Sequence, residues 1–211
     1  MLNPFILTYF EGGESNSMKK ILVTIGLVIA LILTIFFVRE FLIRDYFYND
    51  KKIYDNHEYV KYQGGQEASY FFEKYSMKDD YNNYDFYFLS GADSWRFYHF
   101  ADAVYSLVYS FDSEQYDDNM EEINNYVKFI NYDLRDDTSN DLLACGSTII
   151  GSHIFNTVYE PLFDYPGSFG VIGFNDKEKI ISFNYFYNPS LDYFYSKKDF
   201  NNYISKNLIW L

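Results

Sequence analysis

One stretch constrains this chain more than any other. Residues 21–38 read Ile-Leu-Val-Thr-Ile-Gly-Leu-Val-Ile-Ala-Leu-Ile-Leu-Thr-Ile-Phe-Phe-Val, 18 positions with no charge and no proline. As a helix, such a segment rises about 27 Å, close to the roughly 30 Å hydrocarbon core of a bilayer. Hydrocarbon offers backbone N–H and C=O groups no partner, so a lone segment crossing it has to be helical. The side chains expected to meet lipid are Ile21, Leu22, Val23, Ile25, Leu27, Val28, Ile29, Leu31, Ile32, Leu33, Ile35, Phe36, Phe37 and Val38. A helix buried in a soluble core usually keeps a polar stripe. Here only Thr24, Gly26 and Thr34 break the run. The helix can lengthen through Phe41, Leu42 and Ile43, with Arg39 and Arg44 reaching for the headgroups.

Lys19 and Lys20 give the run the basic start of a signal sequence, but the run is longer than a usual signal core and ends in Phe-Phe-Val-Arg-Glu without a small-x-small cleavage pattern. An uncleaved signal-anchor over 18–44 is therefore the expectation. Met18-Lys19-Lys20 itself reads as a bacterial membrane-targeting start, and codons for Glu11-Gly12-Gly13 can spell a ribosome-binding site just ahead of it. Residues 1–17 are accordingly expected to be a non-native leader or a short tail. Lys19 and Lys20 flank one side, and Arg39, Arg44, Lys51 and Lys52 the other. That count alone leans toward a cytoplasmic domain. A short basic tail before an apolar run nevertheless behaves as a signal sequence and keeps its N-terminus inside, so the domain is expected outside the cell membrane. The single cysteine, Cys145, cannot form an internal disulfide and does not decide the side.

Beyond the anchor, residues 45–211 carry 13 Lys/Arg against 27 Asp/Glu, a net charge of −14. Phosphate backbones call for clustered Lys/Arg, so nucleic acid is disfavoured and not expected as a partner. Lying flat on anionic lipid is disfavoured for the same reason. Solubility or a basic protein partner suits such a surface. The 24 Tyr and 22 Phe accompany many Asn, Lys, Ile and Asp. All have AT-rich codons, so the aromatic excess is read as genomic bias ahead of a stacking surface.

The chain after residue 44 is long enough for one domain with its own core. Residues 45–65 are polar and aromatic and are expected to form a stalk, leaving 66–211 as the acidic globular domain. Gln66–Ser76 reads as a short helix and Tyr84–Leu89 as a strand. Asp93 is a good N-cap, and Phe97, Ala101, Val104, Val108 and Phe111 recur at helical spacing. Asp112 caps a second stripe, Tyr116, Met120, Ile123, Val127 and Ile130, whose other face is Asp117, Asp118, Glu121 and Glu122. The two stripes predict an antiparallel helical hairpin over 93–131. Residues 142–158 read equally as a buried helix or two short strands. Phe169–Phe174 and Lys179–Tyr187 read as a hairpin around Asn175-Asp176-Lys177-Glu178, with Ile181, Phe183, Tyr185 and Tyr187 on one face. Ser196 caps a last helix with Phe200, Tyr203, Ile204 and Leu208 inward. The sum is an α+β fold, a small antiparallel sheet covered by helices.

Candidate chemistry is sparse, and no catalytic residue and no cofactor are expected. Leu-Leu-Ala-Cys-Gly at 142–146 matches a lipoprotein box by residue type, but such a box works only at the end of a signal peptide. Cys145 and His153 are eight residues apart, roughly 12 Å along a helix, too far for a nucleophile–base pair. His99 and Asp102 can meet one turn apart, which reads first as an interfacial histidine. His57, near Asp55 and Glu58, reads as solvated. Asp133, Asp136, Asp137, Asn140 and Asp141 form an acidic loop that offers calcium the oxygens it takes. It lacks the EF-hand order and glycine, so a solvated loop without metal is expected. These features favour a non-enzymatic interaction module, with a membrane-tethered hydrolase using carboxylates, or an anchored ligand-sensing domain, as alternatives.

Overall fold

The computed structural model describes residues 8–42, 46–47, 49–77, 83–90, 103–131, 134–135, 142–144, 146–163, 167–187 and 197–211. The chain divides into two units, Met1–Arg44 and Asp45–Leu211. The first holds one helix, α1 (Thr8–Leu42). It is long and apolar enough to cross a membrane, and none of its Met18–Ile35 window is buried. Its two hydroxyls in that window turn back on their own helix. Thr24 donates to the Lys20 carbonyl at 2.9 Å and Thr34 to the Ala30 carbonyl at 2.7 Å. Both polar groups are thus satisfied locally, which removes most of the cost of placing them in an apolar medium.

The second unit is α+β. Its seven-stranded antiparallel sheet runs β1 (Tyr46–Phe47), β2 (Tyr84–Ser90), β3 (Ala103–Ser110), β9 (Ile180–Tyr187), β8 (Ser168–Asn175), β7 (His153–Thr157), β6 (Ser147–Ile150) in spatial order. A separate two-stranded ribbon pairs β4 (Leu134–Arg135) with β5 (Leu142–Ala144). One face of the main sheet presents Phe86, Phe88, Tyr105, Leu107, Ile172, Phe183 and Tyr185 to α2 (Lys51–Asp55), α3 (Gly65–Tyr75) and α4 (Ser113–Tyr126). The other presents Val104, Phe155, Phe169, Val171 and Phe186 to α5 (Lys197–Asn207) and Leu208. Helices thus cover both faces, and β8 is buried at every position.

Several sequence expectations meet their elements here. The strand at Tyr84, the helix after Gly65, the β8–β9 hairpin and the final helix with Phe200, Tyr203, Ile204 and Leu208 buried are all present. The 142–158 segment resolves into strands. The helical hairpin over 93–131 is corrected. Residues 103–110 are strand β3, paired with β2 on one side and β9 on the other. A strand covered on both faces carries apolar side chains at both parities, here with Ser106 buried among them, so Val104 and Val108 match helical spacing by accident. Tyr105, Leu107 and Tyr109, at the alternate positions of the strand, are buried as well. The β-branched valines and the tyrosines of this segment favour the extended chain. Asp93, Phe97 and Ala101 lie outside the described residues. The second half of the expected hairpin is right only as far as Tyr126: Asp112 accepts from the Gln115 amide at 2.9 Å and α4 turns Tyr116 and Ile123 inward, but Val127 ends the helix in an extended conformation and Ile130 lies beyond it, its amide bonded to the Thr157 carbonyl. Asp112→Ala is expected to cost about 1 kcal/mol in a denaturation experiment, the usual worth of such a cap.

The expected stalk is also corrected. Residues 46–65 belong to the folded body: β1 joins the sheet, and α2 and a 3₁₀ turn at Glu58–Lys61 bury Ile53 and Tyr59. The Tyr59 ring lies 5.4 Å from Phe86 and 6.0 Å from Tyr105. Averaged polarity conceals this, because tyrosines carry their burial in the ring and their polarity at one atom.

Candidate functional site

The acidic-loop candidates Asp133, Asp136, Asp137, Asn140 and Asp141 lie outside the described residues, as do Cys145, His99 and Asp102. Among the described residues no group of three His, Cys, Asp or Glu side chains could hold a metal ion. His57 is exposed, in a left-handed conformation at φ 52°, with its ring 6.2 Å from Tyr59.

Three features remain. The first is a buried carboxylate that no sequence pattern marked. Glu160, 2% exposed, accepts at Oε2 from Lys74 Nζ and from the Tyr75 hydroxyl, each at 2.5 Å, and at Oε1 from the Leu162 amide at 3.3 Å. Burial alone would raise its pKa, but the Lys74 and Tyr75 bonds outweigh burial and hold it below the ordinary carboxylate value. Burial, then the Glu160 bond, push Tyr75 up to about 12. Both carboxylate oxygens are occupied, so the group fastens the loop after β7 to the end of α3. Its role in the fold is structural, and burial at 2% exposure keeps it from the surface.

The second is an open cleft of about 380 Å³ lined by Ile150, Gly151, Ser152, His153, Glu178, Ile180, Trp210 and Leu211. Its organiser is Asn175, the last residue of β8. Its Oδ1 accepts from the Lys177 and Glu178 amides, both at 3.1 Å, closing the β8–β9 turn. Its Nδ2 therefore faces Ser152 Oγ at 3.0 Å and His153 Nε2 at 3.2 Å. The His153 ring stacks on Phe155 at 5.9 Å and meets the edge of Trp210 at 5.4 Å. Trp210 Nε1 donates to the buried Asn184 Oδ1 at 3.1 Å. Ser152, His153 and Glu178 are the residue types of a hydrolytic triad, but their arrangement is not one. Asn175 stands between serine and imidazole and occupies the nitrogen that would serve as base.

The third is the outer face of α4. Asp112, Glu114, Asp117, Asp118, Glu121 and Glu122 are all exposed. The helix is held against the β8–β9 turn from its other side, where Tyr116 donates to Asp176 at 2.6 Å and Lys179 lies 4.6 Å over the Tyr116 ring. Lys179 Nζ also lies 3.7 Å from Asp117. Sequence reasoning found this acidic face. It missed the cleft, because Asn175, His153 and Trp210 are brought together only by sheet pairing and the path of the chain after α5.

Comparison of the chain with protein-family models, with curated proteins and with solved structures finds no match. The class is therefore defined by its own geometry: an α+β domain, its antiparallel sheet between helical layers, preceded by one apolar N-terminal helix.

Proposed function

We propose that this is a single-pass membrane protein whose acidic domain is a non-enzymatic interaction module for a basic protein partner. In this reading α1 is an uncleaved signal-anchor that crosses the bilayer through residues 21–38. The domain stands on the extracytoplasmic side. The observation that carries the binding role is the α4 face, with five exposed carboxylates on the helix and a sixth, Asp112, at its N-cap; among the described residues Lys179 pairs with one of them, Asp117. The hydrolase alternative is less well supported. The buried Glu160 has both oxygens engaged, and among the described residues lining the His153 cleft Glu178 is the one acid.

The test uses the full-length chain in mild detergent as bait for host envelope proteins at low and high salt. A basic partner captured at low salt is expected to elute as salt screens the contact. A triple variant, Asp118→Asn, Glu121→Gln and Glu122→Gln, is expected to bind it about tenfold more weakly, since exposed charges contribute a few tenths to one kcal/mol each. Capture that is insensitive both to salt and to these substitutions contradicts the proposal.

A further inference from the structure

We propose that His153 is a proton-operated latch: as a neutral imidazole it accepts a hydrogen bond from Asn175 at Nε2, and protonation breaks that bond and loosens the chain segment around Trp210. The tautomer follows from donor and acceptor bookkeeping. The Asn175 amide cannot be turned over, because its oxygen is committed to two backbone N–H groups of the turn. The group facing His153 Nε2 is thus an NH₂, which donates and cannot accept. Its two hydrogens serve Ser152 Oγ and His153 Nε2. His153 Nε2 must then be unprotonated and Nδ1 carries the hydrogen. Adding a proton at Nε2 sets two donors against each other at 3.2 Å, and one of them has to move.

The imidazole is the group free to move. Asn175 is tied into the turn, and Ser152 precedes His153 directly. The ring has an open cleft beside it on which, among the described residues, Glu178 is the other ionisable side chain. The other described side chains against it are uncharged: Ile150 from the β6 side, Asn175 from β8, Phe155 from its own strand, and those of Trp210 and Leu211. A cationic His153 therefore swings toward Glu178 and away from the Trp210 edge that it supports. Burial lowers its pKa from the ordinary 6.5, and Glu178 offsets this only in part. The lowered value fixes the sign. Between 6.5 and the folded-state value the unfolded chain holds more protons, so the latch's contribution is complete above 6.5 and is lost as pH falls through the folded value.

Two readouts on the full-length chain in detergent test this. Nitrogen NMR of the imidazoles is expected to show His153 as the Nδ1–H tautomer at neutral pH, titrating below 6.5. In a Trp95→Phe background, Trp210 emission is expected to shift to longer wavelength on acidification with the same midpoint. His153→Gln, whose side-chain oxygen can take the same bond but does not titrate, is expected to abolish that shift. An Nε2–H tautomer, a midpoint at or above 6.5, or an unchanged emission transition in His153→Gln overturns the proposal. The NMR measurement on the unmodified histidine stands even if the variant fails to fold.

Discussion

Gly170→Val is expected to destabilise the domain by about 3 kcal/mol, the upper end of what forced overpacking of a core costs. Gly170 lies in β8 opposite Tyr185 of β9, and its carbonyl accepts from the Val158 amide at 2.9 Å. The space a side chain would need is filled by Phe71 of α3. A Cβ built there falls 2.3 Å from Phe71 Cε2 and 2.8 Å from Cδ2 and Cζ. Phe71 has little room to withdraw, since its ring is fully buried with Tyr75 at 5.4 Å, Tyr185 at 5.9 Å and Phe163 at 6.1 Å. The absent side chain is what lets α3 sit close on the sheet. Thermal or urea unfolding followed by circular dichroism reads the loss. Gly170→Ala should be rescued in part by Phe71→Leu, with a coupling of about 1 kcal/mol in a double-mutant cycle. A wild-type midpoint for Gly170→Val would show that α3 does not pack there.

Glu160→Ala is expected to cost a comparable amount, about 3 kcal/mol, because it strips partners from a buried site. The two partners recover unequally. The Lys74 side chain is 44% exposed and regains water, while the Tyr75 hydroxyl loses its acceptor inside the core. Glu160→Gln keeps the shape but not the charge, and should cost about half as much. The acid limb of stability separates charge from shape. A carboxyl held below its ordinary 4.5 stabilises the fold above that value, and the gain is lost as pH falls through the folded-state pKa. The parent should therefore lose stability more steeply than Glu160→Gln below about pH 4.5. Parallel acid limbs for the two would mean that the ion pair adds nothing to folding.

What the sequence made legible depended on how each element is covered. The apolar run of α1 stands out because its 18 residues carry no charge. The α4 pattern was readable because one face is wet: Tyr116 and Ile123 go inward while Asp117, Asp118, Glu121 and Glu122 stay out. The β8–β9 hairpin was betrayed by its turn, where Asn175 accepts from the Lys177 and Glu178 amides. Strand β3 was misread because helices cover both faces of the sheet, leaving no polar parity to set the period. Residues 46–65 were misread because Tyr59 buries its ring in a stretch whose composition suggests water. The cleft was illegible for a different reason. His153 and Asn175 are 22 positions apart, and Trp210 comes far later, so no local pattern joins them.

The β3–β9 pairing carries a consequence for how this protein is made. These neighbours in the middle of the sheet are at least 70 residues apart in the chain, with Ser110 facing Ile180 at the nearest point. Closing so large a loop is an entropic toll that local contacts do not lower, and folding rates fall as such distant pairings dominate. A nascent chain can form α4 early, yet β3 waits for its partner until the ribosome has delivered residues 180–187. Until then an apolar strand is without one of its neighbours, the kind of exposed intermediate that chaperones exist to shelter.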